Sequence, residues 1–152
     1  MTHSERLASL NITLPPVAAP VGAYVPALRN ADDVLTSGQL PMRDGRLVCT
    51  GKVGSEVTVE DAASAAEVSA LNGIAAVAEV AGGIDHIEQI VRVCVFVASA
   101  AGFTDQPKVA NGASSLLASI FGDAGKHVRS AVGVAELPLN ASVEIEIVAR
   151  VK

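Results

Sequence analysis

His127-Val128-Arg129-Ser130-Ala131-Val132-Gly133-Val134, a bend at Leu137-Pro138, then Val143-Glu144-Ile145-Glu146-Ile147 decide how this chain is read. Apolar residues alternate with polar or small ones in both runs, the period of two expected of strands with one buried face. Arg129 shares a strand face with the small residues Ala131 and Gly133, a pattern that leaves a hollow with a positive floor. Glu144 and Glu146 share a face on the second strand, with Val143, Ile145 and Ile147 on the other. A guanidinium binds a carboxylate through two parallel hydrogen bonds, so Arg129 is a candidate receptor for a small organic acid. The competing structural reading pairs Arg129 with Glu144 or Glu146 across the ladder, an arrangement worth little in stability.

Upstream, Ile87 to Val97 reads as the central strand, with Ile87, Val91, Val93, Val95 and Val97 on one face and Ile90, Cys94 and Phe96 on the other. Ala62 to Val80 carries Ala63, Ala66, Ala70, Ile74, Val77 and Ala81 in steps of three or four, which predicts a long helix capped by Thr58 and stopped by Gly82-Gly83. Gly73 inside it weakens a helix by about 1 kcal/mol relative to alanine, so close backbone packing is its expected use. A second helix spans Asp105 to Phe121, with Pro107 tolerated in its first turn.

Toward the amino terminus, residues 2–10 form a short amphipathic helix, and Leu14-Pro15-Pro16-Val17-Ala18-Ala19-Pro20 an extended arm. Ala23 to Leu28 and Asp33 to Ser37 read as strands, and Asp44-Gly45 as the turn of a hairpin joining residues 40–42 to 47–49. These elements predict one α+β domain over 1–152 with a mixed sheet and two long helices on one face. Two helices cover a single sheet face, yet the central strand is apolar on both. A second copy of the same sheet is the economical cover, which predicts a homo-oligomer.

The chain has 152 residues, half of them hydrophobic and 18% charged, with a net charge of −5. Eleven scattered Lys and Arg, three Phe, one Tyr and no Trp supply neither a basic face nor a stacking platform, so nucleic acid is not an expected partner. No apolar run reaches membrane-spanning length and no signal-peptide core is present, which predicts a cytoplasmic protein. Cys49 and Cys94 read as reduced structural thiols. His3, His86 and His127 are too dispersed for a metal site, and Gly51-Lys52-Val53-Gly54-Ser55 lacks the spacing of a phosphate loop. Tyr24 could cap a pocket or simply pack, and Ser37-Gly38-Gln39 could bring backbone to a ligand or make a tight bend.

Gly22-Ala23-Tyr24-Val25, Thr36-Ser37-Gly38-Gln39-Leu40-Pro41, Val91 to Val97 with Phe96, Asn111, and Arg129-Ser130 through Leu137-Pro138 to Val143-Glu144-Ile145-Glu146, in this order, resemble the Rid family of RidA/YjgF reactive-intermediate deaminases, also described as L-PSP endoribonucleases. The resemblance implies a chorismate-mutase-like fold and a homotrimer with clefts between subunits. It implies hydrolysis of 2-imino or enamine acids to 2-keto acids and ammonia, without a cofactor. Arg129 would grip the carboxylate, and Glu144 would help place the attacking water with a backbone carbonyl at Ala131. Tyr24, Ser37, Gly38 and Asn111 would line the cleft. Ala131 stands where the family commonly has cysteine, and the amino-terminal arm and the 43–57 loop are longer than usual. A non-catalytic binder of small carboxylates such as keto acids is the rival expectation; ribonuclease activity has only the family description behind it.

Overall fold

In the computed structural model, which describes residues 1–152, strands β1 (Ala27–Asn30), β2 (Asp33–Thr36), β5 (Ile87–Ala98), β6 (Val128–Val134) and β7 (Val143–Val151) form one sheet. Its order is β1-β2-β7-β5-β6. Only the β5–β6 pair is parallel. The crossover between those two strands is helix α3 (Gln106–Phe121), which packs beside α2 (Val59–Ala81). A short hairpin, β3 (Met42–Arg43) and β4 (Arg46–Leu47), turns through Asp44 and Gly45, both at positive φ. Helix α1 (His3–Ser9) precedes the arm and is closed by a capping box between Thr2 and Glu5.

The long helices follow their local signals. Thr58 accepts from the Asp61 amide and starts α2 three residues before the predicted Ala62, while Gly82 ends it in the left-handed conformation. Gly73 is where α2 meets the sheet: a Cβ there would lie 2.7 Å from Ile147 Cδ1. Gly112 of α3 is tighter still, for a Cβ there would run into the Ala63 carbonyl oxygen, which as backbone cannot swing aside. The two helices therefore cross almost backbone to backbone, which explains the alanine-rich face between them.

Two strand expectations are corrected. Residues 21–24 bend, and β1 begins only at Ala27, because Pro26 cannot donate to the ladder. On β5 the register slips between Ile87 and Gln89 and again between Ile90 and Arg92. Strict alternation fails there: Ile90 joins Ile87, Val93, Val95 and Val97 in the core, while Val91 is turned out of it.

The core lies between the helices and one sheet face. No helix covers the opposite face. A row runs across all five strands there, Leu28, Leu35, Val148, Arg92 and Val128, set by successive ladder registers. Leu28 and Val128 are each 61% exposed within the single chain. No helix is long and apolar enough to cross a membrane.

Candidate functional site

Arg129 pairs in register with Val93 of β5, and Ala131 with Val95. Both valines are fully buried under the helices, so Arg129 and Ala131 face α3. The guanidinium Nη1 donates to Asn111 Oδ1 at 2.9 Å and to Ser114 Oγ at 3.1 Å; Nη2 reaches the Pro107 carbonyl at 3.5 Å. Both hydrogens of Nη1 are thus engaged by α3. The Nε–Nη2 edge, the side that binds a carboxylate in parallel, keeps donors to spare. Arg129 belongs to none of the four ion pairs in the chain.

Glu144 pairs with Phe96 and Glu146 with Cys94, which places both glutamates on the face that carries no helix. The structural alternative of an ion pair between Arg129 and either glutamate is therefore excluded within one chain, since the sheet separates them. Glu144 is half-buried, and its carboxyl is pushed above the ordinary glutamate range, first by burial and then by repulsion from Glu146. Its carboxylate lies against Gly38, whose missing side chain makes the space. Gly38, Ser37 and Tyr24 line a common cavity of about 170 Å³ with Ala18, Met42 and Leu139. Ser37 Oγ donates to the Val25 carbonyl at 2.6 Å, tying the Tyr24 loop to the end of β2.

The seven residues singled out by sequence thus form two clusters. Arg129, Asn111 and Ala131 meet on the helix-covered face; Tyr24, Ser37, Gly38 and Glu144 gather around the end of β2 and β7. The structure does not bring the clusters together within a chain. Sequence reasoning gave no role to Ser114 and weighed His127 only as a metal ligand. Their signals were spacing: Ser114 lies three residues after Asn111, on the same helical face, and His127 two residues before Arg129, on the same strand face.

This sheet order, with paired helices on one face and the two clusters at its margins, matches known proteins along nearly the whole chain. Residues 4–151 match the YjgF/chorismate-mutase-like family, which carries an endoribonuclease description. The chain belongs to this family. It is 40% identical over 144 residues to protein TCP17 of Trypanosoma cruzi, covering 94% of this chain and 90% of that one. It is 32% identical over 137 residues to a 2-iminobutanoate/2-iminopropanoate deaminase of Dermatophagoides farinae, covering 89% and 91%. The crystal structure of Atu1372 from Agrobacterium tumefaciens, a protein of unknown function, superposes with a TM-score of 0.90 at 42% identity, over 99% of this chain and 92% of that one.

Proposed function

We propose that this protein hydrolyses reactive 2-imino and enamine acids to 2-keto acids and ammonia. The observation that carries this reading is the Arg129 guanidinium, anchored through Nη1 by Asn111 and Ser114, with Nε and one Nη2 hydrogen left beyond the Pro107 carbonyl contact. These donors would receive the substrate carboxylate. The deaminase activity of the mite relative supports the substrate class.

Because the sheet lies between Arg129 and Glu144, the working site would join Arg129 of one copy to Glu144 of a neighbour. Head-to-tail contacts of this kind close into a ring when the rotation between copies is a whole fraction of a turn. We assign a homotrimer, with the apolar face of each sheet turned inward. In such a site Glu144 holds a water beside the imine carbon. The water attacks, the C–O bond forms, and its proton passes through Glu144 to the nitrogen. The hydroxyl proton of the resulting carbinolamine then follows by the same route to the amine, the C–N bond breaks, and ammonia leaves as the carbonyl forms. A carboxyl whose pKa is raised takes the proton more readily than an ordinary glutamate does before passing it on. Ser37 and Tyr24 would flank the substrate, and only the backbone carbonyl is asked of Ala131.

The test is to generate 2-iminopropanoate or 2-iminobutanoate in situ and follow its disappearance. Acceleration lost in Arg129→Ala is the expected result. Equal acceleration by Arg129→Ala, or none by the wild type, would overturn the reading. Arg129-dependent binding of keto acids without turnover would instead favour a carboxylate-binding protein.

A further inference from the structure

Behind Arg129 runs a hydrogen-bonded relay. Arg129 Nη1 lies 3.1 Å from Ser114 Oγ, Ser114 Oγ lies 2.9 Å from His127 Nε2, and His127 Nδ1 lies 2.6 Å from the Gly125 carbonyl oxygen. The two ends fix its direction. A carbonyl only accepts, so the His127 proton sits on Nδ1, leaving Nε2 bare in the neutral ring. A guanidinium only donates, so Ser114 Oγ accepts from Arg129 and turns its own hydrogen toward Nε2. Every donor then meets an acceptor.

We infer that His127 is a positioning residue for the Arg129 carboxylate grip, acting through Ser114. This rests on the reading of Arg129 given above. By taking the Ser114 hydrogen, His127 aims an oxygen lone pair at Nη1. Together with Asn111 this consumes Nη1 and leaves Nε and the Nη2 hydrogen not shared with the Pro107 carbonyl to meet a carboxylate. The anchor is firm. Gly125 is buried in the turn after α3, where a Cβ would lie 2.9 Å from the Leu117 carbonyl carbon. His127 thereby ties the end of α3, which carries Asn111 and Ser114, to the start of β6, which carries Arg129. A leucine of similar bulk would fill the space and leave the Ser114 hydroxyl free to rotate. A glutamine could place its amide oxygen near the Nε2 position and accept from Ser114 as the imidazole does.

Two measurements test this in the full-length protein. Long-range ¹H–¹⁵N correlation of the His127 ring is expected to show the neutral ring protonated at Nδ1; protonation at Nε2 overturns the relay. Titration calorimetry with 2-oxobutanoate is expected to show His127→Leu and Ser114→Ala weakening binding about tenfold, with His127→Gln within about threefold of wild type. In turnover the loss is expected in KM with kcat nearly unchanged, the mark of an interaction used equally in ground and transition states. Wild-type affinity in His127→Leu overturns the inference, as does a His127→Gln protein as weak as His127→Leu, which would make the imidazole a packing group. If Arg129→Ala also binds like wild type, the carboxylate grip falls with it; if only His127→Leu does, the inference falls alone.

Discussion

Gly38 is empty where Glu144 is full: a Cβ on Gly38 would lie 2.8 Å from the carboxyl carbon of Glu144. The end of β2 and the strand β7 come this close because Gln39 and Ile145 exchange backbone hydrogen bonds of 2.8 and 3.0 Å. Glycine at 38 is thus a condition for Glu144 to hold its position.

Gly38→Ala is therefore predicted to separate folding from function. The obstructing atoms are the far end of a flexible side chain, which can swing aside, so the stability change stays within about 1 kcal/mol. Imine hydrolysis falls tenfold or more because the carboxylate no longer stands beside the cleft. Thermal melting and steady-state kinetics on one preparation check both halves.

Gly112 and Gly73 make the contrasting pair. At Gly112 the obstacle is the Ala63 backbone, which cannot yield without moving α2; at Gly73 it is the tip of Ile147. Overpacking costs about 1–3 kcal/mol, whereas alanine in place of glycine favours a helix by about 1 kcal/mol. Gly112→Ala is expected to lose stability by about the first amount, and Gly73→Ala to come out near neutral as Ile147 shifts. Denaturant unfolding of the two variants decides it.

The α2 packing was legible from the spacing of its alanines, but the close backbone approach expected at Gly73 is made at Gly112, while Gly73 meets the Ile147 side chain. The slips in β5 were not, because a bulge is set by the ladder partner; Val91 and Ile90 exchange faces with no local signal of their own. The sites divide in the same way. Arg129 and Glu144 stand out as charges in apolar strands, but their separation by the sheet depends on which strand β5 pairs with on each side. The parallel β5–β6 register and the antiparallel β5–β7 register are long-range facts. His127 and Ser114 were hidden differently: each is an ordinary polar residue until the turn after α3 brings them together.

In the proposed reaction Glu144 would set an acid limit. A protonated Glu144 cannot take a proton from water, and its pKa is raised by burial and by Glu146. The acid limb of the rate profile is expected above the ordinary carboxyl range, and Glu146→Gln, by removing one of the two causes, moves it to lower pH. The stability sign is opposite to that of a salt-bridged carboxylate. A raised native pKa means the folded state binds the proton more tightly, so this contribution is full at acid pH and declines as pH rises through the native value. Glu144→Gln is therefore predicted to melt higher than wild type near neutrality, the difference closing on acidification. Kinetics and melting across a pH series read both.

The uncovered sheet face makes the assembly testable by a single charge. Val132 lies on it, opposite Phe96, and is 42% exposed in the single chain. If three such faces meet, Val132→Asp buries an unpaired carboxylate three times over, a cost set directly against assembly. Sedimentation is expected to show monomers, and activity to disappear with the ring, although neither Arg129 nor Glu144 has been touched. A Val132→Asp protein that remains a trimer with wild-type activity would remove this face from the interface.

The separation of Arg129 from Glu144 carries the most direct prediction. In the proposed ring, Arg129→Ala chains would lack the carboxylate grip in every site and Glu144→Ala chains the water-holding carboxylate, so each ring alone is expected to be inactive. After unfolding and refolding together, a site is whole when its Glu144 comes from an Arg129→Ala chain and its Arg129 from a Glu144→Ala chain. Random mixing in equal amounts gives each of those a chance of one half, so about a quarter of wild-type activity returns, whatever the number of subunits in a closed ring. Were both residues to act from one chain, every mixed ring would contain only broken sites and nothing would return. Recovered activity as a function of mixing ratio, with its maximum at equal proportions, distinguishes the two.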